Sequence, residues 1–119
     1  MTIQTSVGSP GTVSAASGGY TYAINNLSTT PQPILGVDPQ RVSITVHNPG
    51  SVDAFFAPNF IQNTGSDVSL IPSPAALGGC YRVYANGGTL MLTGEVQKGW
   101  QGFSLSGFSN PLTVEVSRI

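Results

Sequence analysis

The sequence predicts an all-β fold, an antiparallel β-sandwich of about eight strands, and three observations lead there. From Gly19 onward, turn-forming residues recur roughly every eight to twelve positions, the rhythm of a sandwich or barrel. Two segments, 41–47 and 112–116, alternate strictly between apolar and polar side chains, the period of a strand with one buried face. No window carries a 3.6-residue apolar period with helix caps.

Taken in order, Tyr20, Tyr22 and Ile24 alternate with small residues and mark a first strand. Thr29 to Pro33 is a proline-broken loop, and Ile34-Leu35-Gly36-Val37 a short apolar run before Asp38-Pro39. The clearest strand is 41–47, with Val42, Ile44 and Val46 facing one way and Arg41, Ser43, Thr45 and His47 the other. Asn48-Pro49-Gly50 suits a type II turn, with Pro at its second position and Gly at its third. Val52 to Ala57 forms a second strong strand, closed by Pro58. The segment 59–67 is loop, Val68 to Ile71 a short strand, and 72–79 a second loop in which Ser73 to Leu77 can form one helical turn. Tyr81 to Tyr84 is a strand, Asn86-Gly87-Gly88 a hairpin signal, and Thr89 to Thr93 a strand with Leu90 and Leu92 inward. Gly99 to Leu105 holds Trp100 and Phe103, and Asn110-Pro111 introduces the last strand. Two sheets packed face to face would draw one core from Val42, Ile44, Val46, Leu90, Leu92, Trp100, Leu112, Val114 and Val116.

Charge is scarce. Five acidic and four basic residues make up about 8% of the 119 residues, against roughly a quarter in an ordinary domain. No apolar run approaches the roughly 18 residues of a spanning helix, so no membrane partner is expected. The surface is therefore built from Gly, Ser, Thr, Asn and Gln, and little charge repulsion keeps copies apart. A net charge of −1, with Arg41, Arg82, Lys98 and Arg118 well separated, argues against nucleic acid. The chain fits one domain. Cys80 is the lone cysteine, and Met1 to Thr5 has neither the basic nor the apolar region of a signal peptide, so synthesis in a reducing cytoplasm is expected.

Little in the chain can carry catalysis. His47 is the single histidine, which nucleophilic triads would require, and it ends a strand beside a turn. Asp38, Asp53, Asp67, Glu95 and Glu115 are scattered, and one His with one Cys is weak zinc-binding material. The glycine pairs lack a phosphate-loop context. No enzyme activity, metal or cofactor is expected.

Residues 1–18 are set apart by composition from the domain at 19–119. Small polar residues and the breakers Gly8, Pro10, Gly11 and Gly18 cannot build a core. The segment reads either as a tail or as an extended N-terminal arm that orders against a neighbouring subunit, with Ile3, Val7 and Val13 as its anchors and Tyr20 and Tyr22 beside it as interface residues.

The order of segments carries a resemblance. A strand ending in His47-Asn48-Pro49-Gly50 runs into Val52-Asp53-Ala54-Phe55-Phe56-Ala57-Pro58. Then come Gly88-Thr89-Leu90-Met91-Leu92-Thr93-Gly94, Gly99-Trp100-Gln101-Gly102-Phe103 and the closing Ser109-Asn110-Pro111-Leu112-Thr113-Val114. Over roughly residues 40–119 this resembles the small capsid decoration proteins of tailed bacteriophages, also called cement or staple proteins. The resemblance implies a jelly-roll-like sandwich that sits on the outside of a phage head and clamps neighbouring major capsid subunits. It also implies a homo-oligomer, a dimer favoured over a trimer, and no catalytic residues. The alternative is a carbohydrate- or receptor-binding sandwich of a phage tail or fibre, for which Tyr20, Tyr22 and Phe60 are the aromatic candidates.

Overall fold

The computed structural model describes residues 18–62 and 71–119. Among them there is no helix, and eight strands are present: β1 (Tyr20–Leu27), β2 (Gln32–Leu35), β3 (Arg41–Asn48), β4 (Ala54–Pro58), β5 (Tyr81–Val83), β6 (Gly88–Leu92), β7 (Trp100–Ser104) and β8 (Asn110–Arg118). They form two antiparallel four-stranded sheets, one ordered β1-β8-β3-β6 and the other β2-β7-β4-β5. The pairing is nested. β4 pairs with β5, β3 with β6, β2 with β7 and β1 with β8, as along one long folded hairpin.

The two sheets share a core. The first contributes Leu27, Ile44, Val46, Leu92, Leu112, Val114 and Val116; the second contributes Leu35, Ala54, Phe56, Val83 and Trp100. Trp100 and Phe56 stack with ring centroids 4.8 Å apart. Of the nine residues that alternation predicts for the core, seven are buried within it and Leu90 packs against it half-buried.

Val42 is the exception, at 41% exposed, and the cause is a β-bulge. Arg41 pairs with Arg118 and Ser43 with Ser117, so β3 spends two residues where β8 spends one. The extra residue reverses the alternation at that point. Val42 turns out to solvent, and Arg41 turns inward and is 2% exposed. A second irregularity, between Ile24 and Leu27, and a third, between Pro33 and Leu35, do similar work in β1 and β2. They let Leu27 and Leu35 reach the core from positions that strict alternation would turn away.

Other expectations are corrected locally. Pro33 belongs to β2, whereas Val52, Asp53 and Tyr84 lie outside the strands. Gly50 does not take the positive φ of a type II turn. The turn is held instead by Asn48, whose Oδ1 accepts from Gly50 N while its Nδ2 donates to Val52 O and Val83 O. Asn86 and Gly87 do adopt positive φ (62° and 103°), but β5 and β6 lie in different sheets, so this turn carries the chain across the sandwich rather than closing a hairpin. Ser73 and Ala76 form an isolated antiparallel bridge in place of a helical turn. Of the strand expected at 68–71, residues 68–70 lie outside the described residues, and Ile71 is exposed outside any strand.

Candidate interaction surfaces at one end of the sandwich

The connections 36–40 and 93–99 and the residues after Pro58 meet at one end of the sandwich, beside the start of β1 and the end of β8. Buried Arg41 organises this end. Its guanidinium donates to Val96 O (2.7 Å), Lys98 O (3.1 Å) and Gly36 O (2.8 Å), while Nε has no partner. Asp38 N donates to Gln97 O (2.9 Å), and Asn59 N to Gly99 O (2.9 Å). The loops are thus tied to one another through backbone carbonyls, and the tie begins with the bulge that turned Arg41 inward.

Among the described residues β1 is the outer strand of its sheet, paired on one side only, with β8. Tyr20 and Tyr22 pair with Val116 and Val114, which places them on the sheet's inner face, yet they are 37% and 40% exposed because the opposite sheet does not close over this corner. Their rings meet edge to face, with centroids 5.1 Å apart. A hydrogen bond to Tyr20, with a contribution from burial, raises the Tyr22 phenol above its ordinary value. The structure therefore brings together two of the five interface residues expected from sequence; Ile3, Val7 and Val13 lie outside the described residues.

Sequence reasoning missed a second feature of the same end. A pocket of about 270 Å³ is lined by Phe60, Gln62, Tyr81, Glu95 and Lys98, with Ile61 and Gly79 among its walls. Phe60 is 53% and Tyr81 45% exposed. Lys98 Nζ lies 3.6 Å from Glu95 Oε1. Phe60 carries a signal in the sequence as an aromatic among loop residues, and Tyr81 a weaker one as one of several aromatics that could form a sugar platform but read first as core. Tyr81 reads there as a strand residue, and Glu95 and Lys98 as isolated charges.

The charges are largely neutralised in pairs. Asp67 lies outside the described residues. Of the remaining eight, six form three ion pairs, Arg118–Asp38, Arg82–Asp53 and Lys98–Glu95. Arg41 is buried, which leaves Glu115 as the single exposed charge outside an ion pair among the described residues. Arg82 also lies over the Tyr84 ring, 4.9 Å from its centroid.

Hydrogen bonds from Arg118 and from the backbone N–H of Gln40 hold the Asp38 carboxyl below its ordinary value. The backbone N–H of Ala85, then Arg82, does the same for Asp53. A carboxyl depressed in the folded state stabilises the fold above its unfolded value of roughly 3.9, and that contribution is lost as pH falls through the lower folded value. The melting temperature should thus hold down to about pH 5 and drop on further acidification. The double variant D38N/D53N should start lower at neutral pH and lose less on acidification; thermal melts with equal acid slopes for both proteins would contradict this.

His47 sits on the outer face of its sheet, with Nδ1 3.1 Å from Thr89 Oγ1. Cys80 is half-buried, and desolvation pushes its thiol up, away from the reactive thiolate. No group of three or more His, Cys, Asp or Glu side chains fit to hold a metal ion occurs among the described residues. Comparison with protein-family models, with curated proteins and with solved structures finds no match to the chain.

Proposed function

We propose that the protein is a capsid decoration, or cement, protein that binds the outside of a phage head and clamps neighbouring major capsid subunits. In this role it is made in the bacterial host cytoplasm and works on the assembled virion. The observation that carries the proposal is the β1 edge. Soluble proteins blunt such edges with charge, proline, bulges or short strands. β2 contains Pro33 and a register shift, β5 has three residues including Arg82, and β6 has five. β1 has eight residues with no charge and no proline, and its pairing is regular from Tyr20 to Ile24. Its outer backbone groups, which pair with no other described strand, suit addition of a strand from another protein, and Tyr20 and Tyr22 supply apolar contact beside them.

Two further features support this role. The sheet orders β1-β8-β3-β6 and β2-β7-β4-β5 follow from rolling one long hairpin into two facing sheets, and we assign the sandwich to the jelly-roll class, which recurs among viral capsid proteins. Among the described residues the surface is nearly free of unpaired charge, which suits a protein whose surface is covered by others. A two-fold pairing of copies is the simplest closed oligomer, so a dimer is favoured over a trimer. Residues 1–18 lead directly into the β1 edge, and we assign them the role of an arm reaching a neighbouring subunit.

The test is co-sedimentation of the purified protein with heads of the phage that encodes it. The intact chain should pellet with the heads. Tyr22→Lys, which places a charge at the edge, should bind at least tenfold more weakly with an unchanged melt. Deletion of residues 2–17 should also weaken binding while leaving the melting temperature nearly unchanged. Failure of the intact protein to pellet would overturn the proposal. Full binding by both variants would remove the edge and the arm from it.

A further inference from the structure

We infer that the pocket lined by Phe60, Tyr81, Glu95 and Lys98 binds one ring of a neutral pyranose sugar, an activity independent of capsid attachment. Size comes first. At about 270 Å³ the pocket falls below the roughly 300–1,000 Å³ of sites that hold drug-sized ligands, so it suits a single ring with the rest of a glycan outside. Its walls are of two kinds. The half-exposed rings of Phe60 and Tyr81 offer apolar surface for the C–H face of a sugar, and Glu95 and Lys98 offer polar groups at hydroxyl positions.

Charge separates the sugar from its rivals. Two aromatic rings and a carboxylate also resemble a cage for a quaternary ammonium. Here, however, the Lys98 ammonium lies 3.6 Å from the Glu95 carboxylate, so it opposes a cation while Glu95 opposes an anion. The ligand that gains from both groups is uncharged and rich in hydroxyls.

The loop bearing these two residues is fixed before any ligand arrives. Trp100 Nε1 donates to Glu95 O (3.1 Å), as does Lys98 N (3.2 Å), and Arg41 holds Val96 O and Lys98 O from beneath. Glu95 itself has φ +57°, left-handed backbone that a glutamate side chain resists and glycine accepts. Its ion pair with Lys98 is solvent-exposed, a kind that adds little to stability. A strained residue with little structural role for its side chain points to function, and the side chain lines the pocket. Gly79, also in the lining, has φ +82°, a conformation that side chains resist, and a Cβ there would come within 2.6 Å of Ile61 Cγ2.

The test is ¹⁵N–¹H NMR of the full chain titrated with D-glucose, D-galactose and N-acetyl-D-glucosamine, with choline chloride and sodium acetate as charged probes. At least one sugar should give saturable shifts at the Tyr81, Glu95 and Lys98 amides, with Kd in the millimolar range expected of a single ring, and both charged probes should bind more weakly. Phe60→Ala should weaken sugar binding at least tenfold without changing the melt. Glu95→Gly should raise the melting temperature by relieving the backbone and yet weaken binding at least tenfold. No saturable shift with any sugar, tighter binding of choline or acetate, or undiminished sugar binding by both variants would each overturn the inference.

Discussion

Trp100→Ala should cost roughly 3 to 5 kcal/mol of folding free energy, the range for removing a large buried aromatic side chain. The ring is 1% exposed, stacks on Phe56 at a 9° interplanar angle, and has Tyr81 6.1 Å away on centroids. Truncation removes the stack, leaves a cavity between the sheets, and strips Glu95 O of its indole donor. Because Trp100 is the single tryptophan, urea unfolding of both proteins has to be followed by far-ultraviolet circular dichroism. A loss under about 1 kcal/mol, the scale of a surface change, would mean that the ring is not part of the core.

Arg41→Met is the second large effect, and its size depends on which of two opposed contributions wins. The guanidinium is buried with no carboxylate among its hydrogen-bond partners, a costly placement for a charge. Against that stand three carbonyl acceptors, each of which costs about 1 to 3 kcal/mol when left buried without a donor. Methionine fills the volume but supplies no donor, so the variant should lose roughly 3 kcal/mol, allowing for water at the two part-buried carbonyls. Arg41→Lys should fall between, since one ammonium cannot reach three carbonyls on two loops as a planar fork does. Denaturant melts showing Arg41→Met as stable as the parent would mean that desolvation cancels the hydrogen bonds.

Alternation made most of this core legible in the sequence. Ile44, Val46, Leu112, Val114 and Val116 each lie where a period of two places them. It failed where a bulge intervened. Val42 and Arg41 exchange faces because β3 spends an extra residue against β8, a property of the pair that neither segment displays alone. The Asn86-Gly87 turn shows the same limit: its local conformation was readable, but its passage between sheets was not. The pocket was less legible still. Phe60, Tyr81 and the loop bearing Glu95 and Lys98 lie far apart in the chain, and their meeting depends on Arg41 and Trp100 holding distant carbonyls. Tyr20 and Tyr22 were found because both sit on one strand, two residues apart.

The nested pairing also shapes how the chain reaches its fold. β8 lies between β1 and β3, so the first sheet has a gap until the last strand has left the ribosome. Tyr20 waits for Val116, and Arg41 for Arg118. Contacts this distant in sequence fold slowly, in milliseconds to seconds, and leave strand edges bare meanwhile. β4 with β5, the innermost pair, and then β3 with β6 can form before β7 and β8 are made. Completion of the first sheet therefore waits for β8, and a nascent chain stalled before β8 is a species for chaperones or proteases rather than a partly working protein.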